Sequence, residues 1–128
     1  MATTAVAMGK VEMQVHKEEP LPVGWALGAD GKPTTNAKEA HKAGLLLPLG
    51  GEEKSSGHKG YCLASMIEIF CSGLSGSNQS HQSRIWDLSD SNVPVNLGQC
   101  FAVIDPSYFA PGFAERIEGF LKMLRNLE

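Results

Sequence analysis

One segment sets the architecture of this chain. Residues 57–74 read GHKGYCLASMIEIFCSGL, two spaced glycines followed by a long apolar run. The apolar side chains recur at the i, i+3, i+4, i+7 and i+11 spacing of a helix face: Leu63, Met66, Ile67, Phe70 and Leu74. Other apolar residues extend this surface almost all round, and Glu68 is the only charge after Leu63. Because a helix that is apolar on nearly every side is buried, the sequence predicts a central buried helix.

Shorter elements are predicted on either side of this helix. Residues 2–16 are compatible with a helix that has a small-residue face, and residues 37–43 with a short helix. The small-residue face consists of Ala2, Val6, Gly9 and Met13. Residues 100–104 (CFAVI) favour a buried β-strand, which Asp105-Pro106 ends. Residues 75–92 are mostly polar and predict an exposed loop anchored by Ile85 and Trp86.

The C-terminal part of the sequence predicts a second long helix, from Phe113 to the last residue. Its apolar face consists of Phe113, Ile117, Phe120, Leu121 and Leu124. Since helices alternate with short strands, the predicted class is α/β, in the sense of a mixed α+β fold with short strands around a central helix.

Length and composition exclude several classes of protein. The 128 residues suit one domain, and 42% hydrophobic with 20% charged residues is typical of a globular chain. The formal charge of −3 lacks the basic excess of a nucleic-acid binder. The apolar runs are far shorter than the roughly 18 residues of a membrane span. With no signal-like segment at the N-terminus, we expect a cytoplasmic protein without nucleic-acid or membrane partners.

Cysteines and histidines predict neither a disulfide framework nor a metal site. Cys62, Cys71 and Cys100 contain no C-x-x-C pair, so we expect buried thiols in a reducing compartment. The four histidines are scattered without the spacing of metal ligands.

The segment just before the predicted central helix of residues 60–74, Gly57-His58-Lys59-Gly60, allows two interpretations. Glycines let a ligand approach the backbone, the helix start offers amide N–H groups, and Lys59 adds a positive charge. Together these groups suit a phosphate or a carboxylate. The simpler interpretation is a glycine-rich turn leading into a helix. The sequence contains neither a Walker loop nor a G-x-G-x-x-G fingerprint.

Two acidic residues, Glu68 and Asp105, are further candidates for a functional role. Glu68 in an apolar helix is either an acid or base with a shifted pKa or a carboxylate satisfied by hydrogen bonds, which is the more common case. Asp105, directly before Pro106, is typical of a turn.

Six separated motifs occur in order along the chain. They are MATTAVAMGK (1–10), GWAL (24–27), GKPTT (31–35), LLPLGG (46–51), GHKGY (57–61) and NLGQCFAVIDP (96–106). The series resembles the second, non-Rossmann family of malate and L-lactate dehydrogenases, which includes ureidoglycolate and sulfolactate dehydrogenases. The resemblance covers essentially the whole chain.

The resemblance implies an NAD(P)-dependent oxidoreductase that acts on a small 2-hydroxy acid. It further implies a mixed α/β fold, a homodimer, and NAD or NADP as the cofactor. Met1 and Ala2 resemble the end of the family's Asp-Met-Ala cofactor segment, and Lys59 resembles its cofactor-binding lysine. The predicted cofactor-binding residues are therefore Met1, Ala2 and Lys59, with no catalytic residue assigned.

The sequence departs from the family pattern in two ways that change the function we expect. The family's general acid/base histidine lies in a part that has no counterpart here, and Cys62 replaces a glycine beside the site. We therefore expect residues 1–128 to be a single partial domain, the cofactor-binding part of a larger dehydrogenase, without turnover of its own. The alternatives are a truncated, non-catalytic interaction module that pairs with a full-length relative, and a generic anion-binding α/β domain.

Overall fold

The computed structural model describes residues 2–83 and 94–127. Within these ranges the chain forms four α-helices and three two-residue strands. In chain order they are α1 (Met8–Lys17), β1 (Ala26–Leu27), β2 (Pro33–Thr34), α2 (Ala37–Ala43), β3 (Leu45–Leu46), α3 (Gly57–Glu68) and α4 (Phe113–Arg125). A π-helical turn, Ile69–Gly73, continues α3, and short 3-10 turns lie at Glu53–Ser55, Ser80–Gln82 and Pro106–Tyr108. The predicted mixed α/β class is confirmed.

The three strands form a small antiparallel sheet with β1 in the centre. Ala26 of β1 faces Thr34 of β2 on one side and Leu46 of β3 on the other. Beyond β3 the chain stays extended and also contacts the N-terminal segment. Thr4 pairs with Pro48, and the Ala5 N–H donates to the Leu47 carbonyl oxygen at 2.8 Å. The sheet is thereby linked to the residues that precede α1.

The core lies where α1 and α2 pack on this sheet. Val11 of α1, Ala26 of β1 and Ala40 of α2 are completely buried, together with nearly buried neighbours: Val6, Leu21, Ala37 and Leu47. The small side chains of α2 allow α1 to come close. Helix α2 starts at the Asn36 cap and ends at Gly44 in the left-handed conformation, so the predicted helix over residues 37–43 is confirmed.

The prediction for residues 2–16 was partly wrong. The helix begins only at Met8, because residues 3–5 are extended beside residues 47–49. As a consequence the buried face differs from the predicted small-residue face. Val11 is buried, with Met8 and Val15 packed beside the core, whereas Met13 is exposed. Local composition did not show that the first residues pair with a segment more than 40 residues away.

The prediction of a central buried helix was right about the helix and wrong about its burial. Helix α3 starts at Gly57, three residues before the predicted start at Gly60, and Gly57 and Gly60 are its only buried residues. Phe70, in the turn that follows, is 46% exposed, and Ile69 and Leu74 are more exposed still. Apolar periodicity shows that a surface needs cover, but it does not say what covers it. The described residues leave most of this surface open.

The predicted buried strand over residues 100–104 was also wrong. These residues form no strand and pair with no other described strand, and Val103 is 96% exposed. A run of β-favouring residues becomes a strand only where a partner strand supplies hydrogen bonds. Helix α4 is confirmed but ends at Arg125, and its residues are exposed on every side.

Several remaining expectations are met only in part. Residues 75–83 form an exposed turn region, whereas Ile85 and Trp86 lie outside the described residues. The cysteine prediction was wrong in burial: Cys62 and Cys100 are exposed, and Cys71 is half-buried, because most of α3 and residues 99–127 lie at the surface. None of the helices described is long and apolar enough to cross a membrane.

Candidate functional site

The start of α3 packs directly on the backbone of residues 49–52. A Cβ atom at Gly60 would overlap the backbone of Leu49, and one at Gly57 would overlap the carbonyl of Gly51. Both glycines are therefore needed for a close approach. One of the two sequence interpretations assigned that approach to a ligand, but here the partner is the chain's own backbone. This supports the simpler interpretation, a glycine-rich turn that leads into a helix.

The amide groups at this helix start are partly used within the chain. The Gly57 N–H donates to the Glu52 carbonyl oxygen at 3.0 Å, and the Lys59 N–H donates to the Ser56 carbonyl oxygen at 3.0 Å. Fewer donors than expected are thus left for an anion at the first turn of α3. The positive charge available to an anion here is chiefly the Lys59 ammonium group.

Lys59 lies on an exposed side of α3. It takes part in none of the ion pairs between described residues and does not line any of the three cavities described below. On a helix with about 100° per residue, Lys59 shares its side with Leu63 and Met66. Among the described residues, the Lys59 side chain is therefore exposed and without an ion-pair partner.

The other two predicted cofactor residues belong to the N-terminal segment. Ala2 is exposed, and Met1 lies outside the described residues. The next residue, Thr3, accepts a hydrogen bond at its carbonyl oxygen from the Leu49 N–H at 2.8 Å. Because Leu49 also packs on Gly60, the N-terminal segment and the start of α3 meet on the same short stretch of backbone.

A groove on the opposite side of α3 holds residues that were not predicted as a site. Its volume is about 690 Å³, and it runs from Thr3 along the helix to Gln79 and Ser80. Glu68 lines it, nine residues after Lys59, which places the two side chains about 180° apart around the helix. Lys59 and the residues that line this groove therefore cannot bind the same chemical group of a ligand.

The polar lining of the groove follows a helical spacing. Tyr61, Ser65 and Glu68 line it at i, i+4 and i+7, and Ser72 follows at i+11. This polar row on an otherwise apolar segment is the sequence signal from which this helix face could have been predicted. The sequence interpretation took Glu68 alone and did not connect it with the other three.

Glu68 is satisfied by two hydrogen bonds in the structure. Its Oε1 atom accepts from the Ser80 N–H at 2.6 Å and from the Ser72 hydroxyl at 3.1 Å, and Ser72 is buried. Of the two interpretations offered for this residue, the geometry supports the hydrogen-bonded carboxylate. The contacts also tie the end of α3 to the turn at Ser80–Gln82.

Two smaller cavities lie elsewhere in the described part. One, of about 470 Å³, separates the end of α1 from the start of α2. The side-chain oxygen of Gln14, one of its lining residues, is buried and has no hydrogen-bond partner among the residues that the structure describes. The other, of about 290 Å³, lies beside Trp25 and Gly50. In residues 2–83 and 94–127, no three side chains of histidine, cysteine, aspartate or glutamate come together as a metal site.

Comparison with known proteins shows which family this chain is similar to. A family model described as malate/L-lactate dehydrogenase matches residues 1–128. A Delta(1)-pyrroline-2-carboxylate reductase from Ancylobacter novellus is 40% identical over 111 residues, covering 87% of this chain and 30% of the reductase. A (2R)-3-sulfolactate dehydrogenase (NADP(+)) from Chromohalobacter salexigens is 33% identical over 128 residues, covering 100% of this chain and 36% of that enzyme.

The fold agrees with a solved structure of the same kind. The sulfolactate dehydrogenase from Methanocaldococcus jannaschii superposes with a TM-score of 0.81 at 31% sequence identity, covering 100% of this chain and 35% of that one. The chain spans about a third of the length of these relatives. Since the family model matches every residue and the fold agrees, the chain belongs to the malate/L-lactate dehydrogenase family.

Proposed function

We propose that this chain is the cofactor-binding part of an NAD(P)-dependent oxidoreductase, which transfers a hydride between a nicotinamide and a small 2-hydroxy or 2-oxo acid. The observation that carries the proposal is the family match over residues 1–128. The similar proteins are named as a dehydrogenase and a reductase, and one name includes NADP(+). Hydride transfer is the chemistry that these names share.

The proposed cofactor residues are Met1, Ala2 and Lys59. An exposed ammonium group near the first turn of a helix suits the diphosphate of a dinucleotide, because opposite charges and the helix dipole act together there. When bound, the nicotinamide supplies the hydride acceptor or donor. The substrate hydroxyl must also lose a proton, and we assign that role to no side chain of these 128 residues.

Three further proposals concern the protein as a whole. The chain acts as a single partial domain over residues 1–128, the complete enzyme is a homodimer, and it works in the cytoplasm. The first is supported by the third of its relatives' length that the chain spans. The homodimer and the cytoplasmic location are supported by the family resemblance of the motifs.

Cofactor binding is tested by titrating the chain with NADH and with NADPH, following nucleotide fluorescence. Replacing Lys59 with alanine (Lys59→Ala) is expected to raise the dissociation constant about tenfold, the usual loss for one charged hydrogen bond. Lys122→Ala is the matched control, because Lys122 is an exposed helical lysine outside the proposed site. A chain that binds neither nucleotide overturns the proposal. An unchanged constant in Lys59→Ala removes that residue from the site and favours a generic anion-binding domain.

The absence of turnover is tested separately. The purified chain is expected to oxidise no NADH in the presence of pyruvate or oxaloacetate, because no general acid is assigned to it. A measurable rate that depends on the 2-oxo acid would show that these residues contain the missing acid.

One observation favours a second function, that of an interaction module. The residues of α4 are all exposed, and five apolar side chains share one face of this helix. Such a surface favours association with another chain of the family. Sedimentation of the chain with and without a full-length relative tests this function. A chain that remains monomeric and unassociated in both samples rejects it.

A further inference from the structure

The groove on the Glu68 side of α3 contains a carboxylate that is fixed through only one of its two oxygens. Both hydrogen bonds that fix Glu68, from the Ser80 N–H and from the Ser72 hydroxyl, end on its Oε1 atom. Within residues 2–83 and 94–127, no hydrogen-bond donor reaches its Oε2 atom and no cationic side chain forms an ion pair with it. An acceptor already fixed in orientation binds a donor at little further entropic cost.

The electrostatic potential in the groove is negative. Glu68 is the only charged residue among the described residues that line it. The groove also follows the C-terminal end of a helix, because Ile69 and Gly73, the first and last residues of the π-helical turn after α3, line it. The carbonyl groups of a helix make this end partially negative. The groove therefore favours a cation beside Glu68 and disfavours a phosphate or a carboxylate.

An organic ammonium group suits this place better than a metal ion. A metal ion such as Ca²⁺ needs several oxygen ligands at once, and no three acidic, histidine or cysteine side chains of the described residues come together. An ammonium group donates one charge-assisted hydrogen bond to a carboxylate and its other hydrogens to neutral acceptors. The Ser65 hydroxyl is such an acceptor, because it donates its own hydrogen to the Tyr61 carbonyl oxygen at 2.9 Å.

The remaining length of the groove suits an apolar ligand body. The groove volume of about 690 Å³ lies within the usual range for small-molecule sites. Ala64 and Ile67 contribute apolar surface beside the polar row. Tyr61 lines the other end, seven residues before Glu68, which corresponds to about 10 Å along the helix. A ligand that reaches both ends has an ammonium group at Glu68 and an apolar ring near Tyr61.

We propose that this groove binds a small organic amine in its ammonium form, with the Glu68 carboxylate as the partner of the positive charge. The groove is separate from the proposed cofactor residues, because Lys59 lies on the opposite side of α3. The inference therefore does not depend on the proposed nicotinamide function. It gives Glu68 a role in binding and none in catalysis.

The first test compares three ligands that share a phenyl ring and differ in charge: phenethylamine, which is protonated at neutral pH, neutral phenethyl alcohol, and anionic phenylacetate. The chain is titrated with each while the Ser80 amide is followed by NMR, because this amide donates to Glu68. The amine is expected to bind at least about tenfold more tightly than the other two. Equal binding of the amine and the alcohol, or no response to the amine, overturns the inference.

The second test changes the carboxylate. Glu68→Gln keeps an oxygen for Ser80 and Ser72 but removes the negative charge, so the dissociation constant of phenethylamine is expected to rise about tenfold. Glu118→Gln, on exposed α4, is the matched control and is expected to leave this constant unchanged. An unchanged constant in Glu68→Gln excludes Glu68 as the partner of the ammonium group.

The position of the bound amine is measured in the same samples. Nuclear Overhauser contacts are expected between the phenyl ring of the ligand and the side chains of Tyr61 and Ala64, which line the groove. Contacts only with residues outside the groove overturn the assignment of the site. Because none of these measurements uses a nicotinamide, failure of the proposed cofactor function leaves their outcome unaffected.

Discussion

Gly60 shows how one missing side chain positions a helix. The atoms that a Cβ would overlap are the backbone nitrogen, carbon and oxygen of Leu49. A flexible side chain can rotate away from such an overlap, but backbone within the 47–49 segment cannot move without breaking its hydrogen bonds to residues 3–5. The glycine therefore brings α3 to the segment that also carries the N-terminal residues.

We expect Gly60→Ala to lower the free energy of unfolding by about 1–3 kcal/mol, the usual cost of overpacking. Guanidinium denaturation, followed by circular dichroism, measures the change. Gly9→Ala is the matched control: it also lies in a helix, but its Cβ would meet nothing within 4 Å. This control is expected to be neutral or to stabilise by up to about 1 kcal/mol. Equal denaturation midpoints for the two variants would contradict the packing argument.

Asp105 is a second residue with a testable property, because its neighbour Ser107 changes its pKa. The backbone N–H of Ser107 donates to its carboxylate at 2.9 Å and lowers the pKa of Asp105 below its ordinary value, and the Ser107 hydroxyl adds to the effect. Because the folded pKa is depressed, the ionised carboxylate stabilises the turn Pro106–Tyr108 at neutral pH. This contribution is lost as the pH falls through the folded pKa.

An NMR titration of the Asp105 side chain is expected to find the lowered pKa, and Ser107→Pro is expected to return it toward the ordinary value. Proline removes the N–H and the hydroxyl together, so both causes disappear. Ser107→Ala, which keeps the N–H, is expected to give an intermediate pKa. A titration that is the same in all three proteins would exclude Ser107 as the cause.

Helix α2 is the element whose ends are the most clearly defined. The Asn36 side-chain oxygen accepts from the N–H groups of Lys38 and Glu39 at 3.1 and 3.2 Å, and Gly44 ends the helix in the left-handed conformation. A helix this short is not stable alone, so its cap and its packing on α1 must act together.

Asn36→Ala is expected to lower the free energy of unfolding by about 1 kcal/mol, because two N–H groups at the helix start lose their acceptor. Asn36→Asp, which keeps an acceptor at the same place, is expected to retain most of the stability. Thermal denaturation of the three proteins at one pH measures the difference. If the alanine and aspartate variants melt together, the side-chain cap contributes nothing to stability.

Helix α3 shows that apolar periodicity predicts a helix but does not predict whether its apolar face is buried. The spacing of Leu63, Met66 and Phe70 correctly predicted a helix, although it starts at Gly57 rather than at Gly60. Burial was predicted by assuming that every apolar face finds a partner, and the described residues provide none for most of this surface. The polar row that includes Tyr61 and Glu68 was present in the same spacing and marks the face that lines the groove.

Burial is distributed unevenly over the molecule. The fully and nearly buried apolar side chains lie between Val6 and Leu47, whereas residues 99–127 are exposed throughout. Regions with few buried contacts open locally at a low free-energy cost, while core elements open only with global unfolding. The two parts of the chain should therefore differ in local stability.

Hydrogen exchange is expected to show this difference directly. The amides of α4 should exchange at least about 100-fold faster than those in the middle of α1, because α4 buries no side chain. Mass spectrometry of peptides covering Phe113–Arg125 and Met8–Lys17 measures both rates in one sample. Equal protection of the two helices at high protein concentration, lost on dilution, would instead mean that another chain covers α4.

Local chemistry and motif order were readable from residues 1–128 alone. Residues 37–43 were predicted as the short helix α2, periodicity predicted α3 and α4, and six ordered motifs indicated the family. These features depend on neighbours within a few positions or on the order of short segments, which is the information that a sequence carries directly. The cofactor role of Lys59 stays a prediction.

Contacts between distant segments were decided only by the tertiary structure. Residues 3–5 became extended rather than helical because residues 47–49 lie beside them, and Gly60 met Leu49 rather than a ligand. Glu68 accepts a hydrogen bond from the Ser80 N–H, which lies twelve residues further along the chain. In each case the free energy depends on which distant groups are brought together, and that arrangement is a property of the whole fold, not of local spacing.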